Sequence, residues 1–430
     1  MRAALAVAAA LALVCANAHA QEAVELDAAR QQAGAADPRL RQLELEAAQS
    51  ALRLRTIEAE RRPALSLEGQ AQYQSDVPKF PFRPPDGGPP PFVLKDTVDA
   101  HLGVEQPLLD PTTRAKADAE RARLAETQAR IRTTLFALRQ EVDDAFFAAS
   151  LLQERETQVT LAITDLEARL REARLRVEEG TALPSEAESI EATLLQRRQE
   201  AIKLRAGRRA AVARLAELTG RSLTQDDRLV LPDAGARVAD ARANLAAIKD
   251  RPEFAQFARL REQLEAQKRV VGAQEQPRLS AYGRAGVGRP GLDFLSHDVN
   301  PYWLAGVRVQ WNPFRWGTPA RERELLALQQ QAVQADEDAF ARGLRRAVQE
   351  DLATLDQLDE AAPLDDRIVA LRESIERETS ARLQERVVTA AEYVDKQTDV
   401  LEARLLRATH RVERAQAQAR FLNVLGLEVR

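Results

Sequence analysis

The feature that most constrains this sequence is an internal duplication. Residues 38–69 align without a gap over residues 252–283, and residues 176–220 align without a gap over residues 382–426. The second alignment includes the identical pairs Arg176/Arg382, Glu179/Glu385, Glu186/Glu392, Leu195/Leu401, Arg205/Arg411, Arg214/Arg420 and Gly220/Gly426. Two ungapped matches in the same order predict a chain built from two copies of one structural unit.

Each copy has the pattern of a helix, two strands, a very long helix, a turn and a shorter helix. We predict a first repeat over residues 21–220, a linker over residues 221–240 and a second repeat over residues 241–430. In the first repeat the strands are expected at about 64–74 and 97–106, the long helix at about 112–180 and the shorter helix at about 184–219. In the second repeat they are expected at about 278–288, 302–311, 317–380 and 390–425.

The first twenty residues have the pattern of a secretory signal peptide. Arg2 precedes an apolar run over residues 3–16, and Ala18-His19-Ala20 suits signal peptidase. The mature chain is therefore expected to begin near Gln21, outside the cytoplasm. It then contains no cysteine, because Cys15 lies within the signal, so neither disulfides nor thiolate metal sites are available.

Charge and hydropathy exclude two further classes of protein. The net charge is −4, with acidic and basic residues interspersed. This argues against a nucleic-acid partner, because phosphate binding requires a concentrated basic face. After the signal, no apolar run approaches the roughly 20 residues of a membrane-spanning helix. Contact with a bilayer would therefore require strands or an amphipathic face.

Four segments of about ten residues alternate between apolar and more polar side chains, strictly so from Leu65 to Gln74, which predicts strands with one apolar and one wet face. This is the length that a tilted strand needs to cross a bilayer. On the apolar side we predict lipid-facing Leu65, Leu67, Val98, Leu102, Trp303 and Val307. On the polar side we predict lumen-facing Glu68, Gln70, His101, Glu105, Arg284 and Arg308.

The alternation also fits a pair of amphipathic hairpins packed on soluble helices, because the signal of each segment is weak. The charged residues of the polar side favour a watery lumen. Both loops between the paired strands are rich in proline or glycine, as external loops are. Four strands cannot close a barrel alone, and an open edge in lipid leaves backbone groups unpaired. A spanning sheet therefore requires an oligomer.

The longest helix is predicted between Asp110 and Gly180, where no glycine occurs and no proline follows Pro111. Apolar residues recur there with a heptad repeat, which predicts a left-handed coiled coil. The composition agrees, because the chain is 45% hydrophobic but only 4% aromatic. At about 1.5 Å per residue the helix would reach on the order of 100 Å. Residues 319–380 repeat the pattern more loosely, with a local irregularity expected at Pro363.

These features together resemble the TolC-like family of outer-membrane efflux and secretion channels. The resembling motifs are Asp37-Pro38, the strand entry Pro63-Ala-Leu-Ser-Leu67, the strand exit Gln106-Pro-Leu-Leu-Asp110, the turn Arg176-Val-Glu-Glu-Gly-Thr181, and the second strand exit Trp311-Asn-Pro-Phe-Arg-Trp-Gly317. The resemblance covers essentially the whole mature chain. Each motif is weak by itself, but their order within a duplicated frame is specific.

The resemblance implies a mainly α-helical protein with membrane strands. Three chains would each give four strands to one 12-stranded barrel, continued by a periplasmic helical tunnel. The protein would be a passive outer-membrane exit duct of a tripartite efflux or type I secretion system. Its partners would be a periplasmic membrane-fusion adaptor, an inner-membrane pump of the proton-driven or ABC type, and outer-membrane lipid.

The resemblance also implies roles for the two helix turns. Adaptor contacts would fall on Arg176, Gly180, Thr181 and Ala182 of the first turn, and on Arg382, Arg386, Val387 and Val388 of the second. At the second turn Arg386 replaces the family's usual glycine, which leaves the adaptor contact there open. Glu392 and Asp395 would narrow the periplasmic mouth as a negative ring. A simpler interpretation makes Thr389-Ala-Ala-Glu392 a capping box, and one residue can do both.

No constellation of residues indicates an enzyme. The histidines outside the signal are His101, His297 and His410, and none has a second histidine or a cysteine at ligand spacing. We therefore expect no catalytic residues, no cofactor and no metal. The alternative to a channel is a periplasmic coiled-coil adaptor or structural protein without a barrel. An adaptor would have one hairpin and usually an inner-membrane anchor, whereas here the hairpin is doubled.

Overall fold

The protein is described from a computed structural model over residues 23–78, 92–243, 245, 251–293 and 295–429. The predicted signal peptide at residues 1–20 and most of the first hairpin loop lie outside the described residues. The described part is mainly helical. Its elements are β1 (Ala23–Glu25), α1 (Leu26–Ala36), α2 (Arg39–Ala59), β2 (Ala64–Tyr73), β3 (Asp96–Leu109), α3 (Pro111–Glu178), α4 (Pro184–Thr219), β4 (Arg228–Val230), α5 (Gly235–Ala243), α6 (Pro252–Ala273), β5 (Arg278–Arg289), β6 (Asn300–Gln310), α7 (Thr318–Gln384) and α8 (Ala390–Val424).

The helix ends follow from local chemistry. Pro111 and Pro184 begin α3 and α4, where the missing N–H of proline costs no hydrogen bond. Gly220 and Gly426 follow α4 and α8 with positive φ angles of 65° and 82°, as glycine at a helix C-terminus allows. Pro363 lies inside α7 and does not end it. Leu358 and Val369 are buried on either side of Pro363, so packing holds the helix across the lost hydrogen bond.

The chain divides into two compact units, and each repeat contributes to both. Unit 1 consists of residues 1–40, 131–254 and 338–430, and unit 2 consists of residues 41–130 and 255–337. The division by packing therefore differs from the division by sequence duplication. The repeat boundaries remain a prediction.

Unit 1 has a continuous hydrophobic core. The core gathers side chains from α1, α3, α4, α5, α7 and α8, including Leu26, Val142, Phe146, Leu215, Val238, Leu355 and Phe421. It also includes Val24 and Leu229 from a small parallel sheet in which β1 pairs with β4. The residues predicted as a linker thus contribute to the packing of unit 1.

One ion pair is buried beside this core. The guanidinium of Arg30 donates from Nε and Nη2 to the two carboxylate oxygens of Asp143, at 2.7 and 2.6 Å. Burial raises the pKa of Asp143 above its usual value, although Arg30 opposes the shift. A buried pair of this kind is costly to break by removing one partner, because the other charge is left unpaired.

Unit 2 contains a four-stranded antiparallel sheet with the order β2-β3-β5-β6. The strands that belong to one repeat form a hairpin, and β3 of the first repeat pairs with β5 of the second. The registers place Leu67 opposite Leu102, Leu102 opposite Ala285, and Ala285 opposite Trp303. Because side chains alternate along each strand, this register gives all four strands a common apolar face and a common polar face.

Candidate functional site

The apolar face of the sheet is exposed to an unusual degree. Leu67 is 84% exposed, Trp303 76% and Val307 64%. The other predicted lipid-facing residues, Leu65, Val98 and Leu102, are also exposed and lie on the same face. Monomeric soluble proteins rarely display a contiguous apolar patch of this kind, so another molecule is expected to cover it.

The polar face carries the six predicted lumen-facing residues, which the register places on one side of the sheet. Arg308 lies 3.7 Å from Glu105 on β3, measured from Nη1 to Oε1, and its guanidinium stacks over the ring of Tyr282. Gln70 donates a hydrogen bond to Gln72 along β2. Glu68, Glu105 and Arg284 are exposed, which suits a face in contact with water.

His101 lies on the polar face but is only 7% exposed. Its Nδ1 lies 2.6 Å from Asp99, and its Nε2 lies 3.5 Å from Glu68. Tyr302 donates a hydrogen bond to Asp99 across the sheet. Gly286 is directly opposite, where a Cβ atom would meet the backbone of His101 at 2.7 Å. His101 is therefore part of a packed polar cluster that spans all four strands of the sheet, which the sequence alternation alone did not indicate.

The first helix turn, between α3 and α4, has a Schellman-type cap. The N–H of Gly180 donates to Val177 and the N–H of Thr181 donates to Arg176. Gly180 has a φ of 69°. Gly180 and Thr181 are exposed and Ala182 is half-buried, so the turn displays a short stretch of small side chains.

The second turn, between α7 and α8, repeats this backbone with different side chains. The backbone N–H of Arg386 donates to the carbonyl of Leu383, and the backbone N–H of Val387 donates to the carbonyl of Arg382. These hydrogen bonds are equivalent to those of the first turn. Arg386 has a φ of 64°, so an arginine holds the left-handed conformation that the aligned Gly180 adopts without steric cost. Arg386 and Val387 are exposed, and Val388 packs against the core beneath the turn.

Both turns are preceded by the same ion pair. Arg176 lies 3.5 Å from Glu172, and Arg382 lies 2.5 Å from Glu378 one turn earlier in its helix. In both helices the glutamate lies four residues before the arginine. The predicted turn residues of the two repeats are thus structurally equivalent.

Glu392 and Asp395 lie in the first turns of α8 and are both exposed. They are three residues apart, which places them on one face of the helix. The side chain of Thr389 accepts a hydrogen bond from the backbone N–H of Glu392 at 3.3 Å. Thr389 is therefore the N-cap of α8, and the two carboxylates lie where the helix dipole favours negative charge.

Sequence reasoning missed a bridge between three helices near these carboxylates. Arg169 of α3 donates from Nη2 to Ser380 of α7 at 2.5 Å and from Nε to Tyr393 of α8 at 3.3 Å. Burial raises the pKa of Tyr393 to about 12, and the charge of Glu376 adds to the shift. Tyr393 stands in the duplication where the first repeat has Ala187. The replacement of a small residue by this tyrosine was the one sequence feature that could have indicated a special contact here.

In the described ranges no three or more His, Cys, Asp or Glu side chains are grouped so as to hold a metal ion. No described helix is both long enough and apolar enough to span a membrane.

The sequence matches no protein-family model and no curated protein. Solved structures do match. CusC, described in terms of transmembrane channel formation, is 15% identical with a TM-score of 0.72, covering 94% of this chain and 92% of CusC. The outer-membrane protein VceC of Vibrio cholerae is 14% identical with a TM-score of 0.67, covering 94% and 97%. The open-state outer-membrane channel MtrE of Neisseria gonorrhoeae is 17% identical with a TM-score of 0.66, covering 94% and 89%. At these identities the likeness shows the fold.

Proposed function

We propose, for a chain whose fold is that of the TolC-like outer-membrane channels, that three copies form a passive duct across the outer membrane. The duct is the exit of a tripartite efflux or type I secretion system. It docks a periplasmic membrane-fusion adaptor, and an inner-membrane pump, either proton-driven or of the ABC type, supplies the energy. The chain itself binds no cofactor and catalyses no reaction.

The observation that carries this proposal is the exposed apolar face of the four-stranded sheet. Leu67, Leu102 and Trp303 lie in one cross-strand row and are all more than half exposed. In water such a face is unfavourable, at about 25 cal/mol for each Å² of apolar surface. In a bilayer the same face is the stable arrangement, while the polar face lines a wet lumen.

The order of the strands supports closure by copies of the chain. β2 and β6 are the terminal strands of the described sheet, so each presents one edge of backbone donors and acceptors. An unpaired edge cannot exist in lipid, because no water satisfies those groups. Pairing β6 of one copy with β2 of the next satisfies both edges, and three copies give twelve strands.

The test compares two adjacent residues of β2 that point to opposite faces. Leu67→Arg places a charge on the lipid face, at a cost of about 2–4 kcal/mol near the middle of a bilayer. Glu68→Arg changes the charge of the polar face and leaves the lipid face intact. We expect Leu67→Arg to abolish heat-modifiable trimers in outer-membrane fractions and Glu68→Arg to retain them.

The same preparation tests the alternative function. Complete extraction of the wild-type chain into buffer without detergent, as a monomer, would favour a periplasmic coiled-coil adaptor or structural protein. Equal assembly of the two variants would also count against the membrane assignment. Conductance of the purified trimer in planar bilayers would support the duct directly.

The exposed turns are the proposed adaptor contacts. Their shared backbone, with small side chains in the first repeat and Arg386 and Val387 in the second, offers two related surfaces for the tip of a helical hairpin. We expect a photo-crosslinking residue at Thr181 or Val387 to capture a periplasmic protein with a coiled-coil hairpin. The same probe at the exposed Leu195 is the control and should not. Equal capture of the partner from Leu195 and from the turn positions would show that the turns do not form the adaptor interface.

Glu392 and Asp395 are the proposed periplasmic constriction. Three copies of an exposed carboxylate pair would repel one another and attract cations, with screening by salt. The double variant Glu392→Gln, Asp395→Asn should lower cation selectivity in planar bilayers, most strongly at low ionic strength. Glu402→Gln, at an exposed position further along α8, is the matched control. Equal selectivity of both variants would place the constriction elsewhere.

A further inference from the structure

A polar cavity of about 330 Å³ lies between α3, α7 and α8 in unit 1. Asp165 and Arg169 of α3, Glu376 of α7, and Tyr393 and Gln397 of α8 contribute to its walls. A single water molecule occupies only about 30 Å³ in the liquid. Small-molecule sites measure roughly 300–1,000 Å³, so the cavity has room for a small organic molecule.

Gln397 gives this cavity a buried hydrogen-bond acceptor without a partner. The residue is 6% exposed, and its Oε1 accepts no hydrogen bond from the described residues. An unpaired buried polar atom destabilises a fold, so such atoms are normally satisfied by protein, water or a ligand. Gln397 therefore indicates that the cavity takes up a hydrogen-bond donor.

The two arginines that line the cavity are already engaged by carboxylates. Arg169 donates from Nη1 to Glu172 at 3.1 Å. Arg404 donates from Nε and Nη2 to one carboxylate oxygen of Glu373, at 3.0 and 2.7 Å. These pairs cancel the positive charges of the cavity, and neither guanidinium is left to attract an anion.

Two further carboxylates of the cavity remain without a counter-ion. Asp165 and Glu376 form no ion pair with another described residue. Glu376 faces the hydroxyl of Tyr393, because its charge contributes to the raised pKa of that phenol. Asp165 is exposed, so it lies where the cavity opens to water. The unused capacity of the cavity is thus negative and hydrogen-bond accepting, which suits a cationic donor.

The rest of the wall limits the kind of cation. It is apolar and consists of Ala162, Ala168, Val400 and Leu401. An apolar wall beside carboxylates suits an aliphatic chain that carries an ammonium group. A bare metal ion fits less well, because the described residues present no group of three His, Cys, Asp or Glu side chains that would hold one.

We propose that this cavity binds a small aliphatic amine, which places ammonium groups on Asp165 and Glu376 and donates an N–H to Oε1 of Gln397. The proposal goes beyond the proposed function and requires neither a barrel nor a trimer, because every residue involved belongs to unit 1. A bound amine contacts the three helices that Arg169 already bridges. Its binding therefore stabilises the packing of α3 against α7 and α8.

Calorimetric titration of the full-length protein with 1,4-diaminobutane, in detergent at low salt, tests the site. We expect saturable binding of one molecule per chain and a higher unfolding midpoint in its presence. The uncharged 1,4-butanediol should not bind. Glu376→Gln should weaken the affinity by roughly tenfold or more, because it removes a charge-assisted hydrogen bond. Gln397→Leu should weaken it by about fivefold, the worth of one neutral hydrogen bond.

Two control variants remove carboxylates outside the cavity. Glu402→Gln removes one exposed charge from α8 and should bind the diamine as wild type does. The double variant Glu392→Gln, Asp395→Asn should also retain the affinity, which separates this cavity from the proposed constriction. Equal affinity of all the variants, or equal binding of the diol, overturns the proposal. A loss of affinity confined to the double variant overturns it as well.

Gln397→Leu keeps the proposal testable if Glu376→Gln does not fold. It removes a buried acceptor that has no partner, so the fold should tolerate it. Absence of saturable binding to the wild-type chain overturns the site and leaves the duct standing. Saturable binding of magnesium chloride in place of the diamine overturns the assignment to an amine. A wild-type chain that binds the diamine as a detergent-free monomer keeps the site and rejects the duct.

Discussion

The two repeats adopt the same backbone at their helix turns but differ in the side chains they place there. The first repeat has Gly180, Leu183 and Ala187, and the second has Arg386, Thr389 and Tyr393 at the aligned positions. The second turn therefore carries a strained arginine, an N-cap and a buried aromatic, whereas the first carries none of these. The backbone hydrogen bonds of the two turns are equivalent, whereas the distinctive side chains lie at the second turn.

Of these three differences, Tyr393 is expected to affect the free energy of unfolding most. Its side chain is 2% exposed and packs with Leu166, Ile190 and Leu383. Tyr393→Ala copies the first repeat at this position. It should cost about 3–5 kcal/mol, as large-to-small replacement of a buried aromatic does. The free energy of unfolding in urea, followed by helical circular dichroism of detergent-solubilised protein, measures the loss. Leu406→Ala, at an exposed position of α8, should change it little.

The turn glycine provides a reciprocal test. Gly180→Arg should destabilise the protein and Arg386→Gly should stabilise it, because a left-handed conformation costs an ordinary residue about 1–2 kcal/mol. Part of the gain at residue 386 is offset by the greater chain entropy of glycine when unfolded. The unfolding midpoints in urea should shift in opposite directions. Shifts of the same sign would mean that the side chain of Arg386 makes stabilising contacts outweighing the strain.

The helix caps should give a smaller and again opposite pair of effects. α4 begins after Leu183 with no side-chain cap, whereas Thr389 caps α8. Thr389→Leu should therefore lower the free energy of unfolding by about 1 kcal/mol. The separate variant Leu183→Thr should raise it by a smaller amount, because it supplies a cap to α4. Thermal unfolding midpoints would detect both changes. An unchanged midpoint for Thr389→Leu would show that the 3.3 Å hydrogen bond to Glu392 contributes little.

The smallest expected effect, when it is measured near pH 10, is a dependence of stability on alkaline pH. The pKa of Tyr393 is raised from about 10 in the unfolded chain to about 12 in the fold. The protonated Tyr393 hydroxyl therefore contributes to the free energy of unfolding fully below pH 10. This contribution is lost as the pH rises toward 12, because the phenol of the unfolded chain ionises first. Between these limits wild type should lose stability relative to Tyr393→Phe, by less than about 1 kcal/mol near the lower limit. Parallel pH profiles of the two proteins would contradict this.

Periodicity made the main elements predictable. The heptad pattern of α3 and the alternation of β2, β3, β5 and β6 are local properties of the sequence, and the structure places helix and strands there. The resemblance to TolC-like channels is confirmed at the level of the fold. The small β1–β4 sheet was not predicted, because three-residue strands carry no usable period. Pro363 was expected to disturb its helix, and α7 passes through it.

The candidate site was only partly visible in the sequence. Alternation assigned Glu68, His101 and Arg284 to one face, but could not indicate that Asp99, Tyr302 and Gly286 would enclose His101. The alignment of Gly180 with Arg386 left open whether the second turn resembles the first, and the structure shows the same backbone conformation at both. The roles of the turns, the carboxylates and the lumen remain predictions.

The sequence by itself determined which segments are helical, which are strands, and which face of each strand is apolar, because these follow from the spacing of residues along the chain. Only the tertiary structure decided that β3 pairs with β5, that His101 is enclosed, that Arg169 bridges three helices and that Gln397 lines a cavity. Those features depend on contacts between residues distant in sequence, and on backbone conformations that residue type alone does not specify. Two copies of one pattern could therefore be recognised in advance, whereas the difference between them had to be observed.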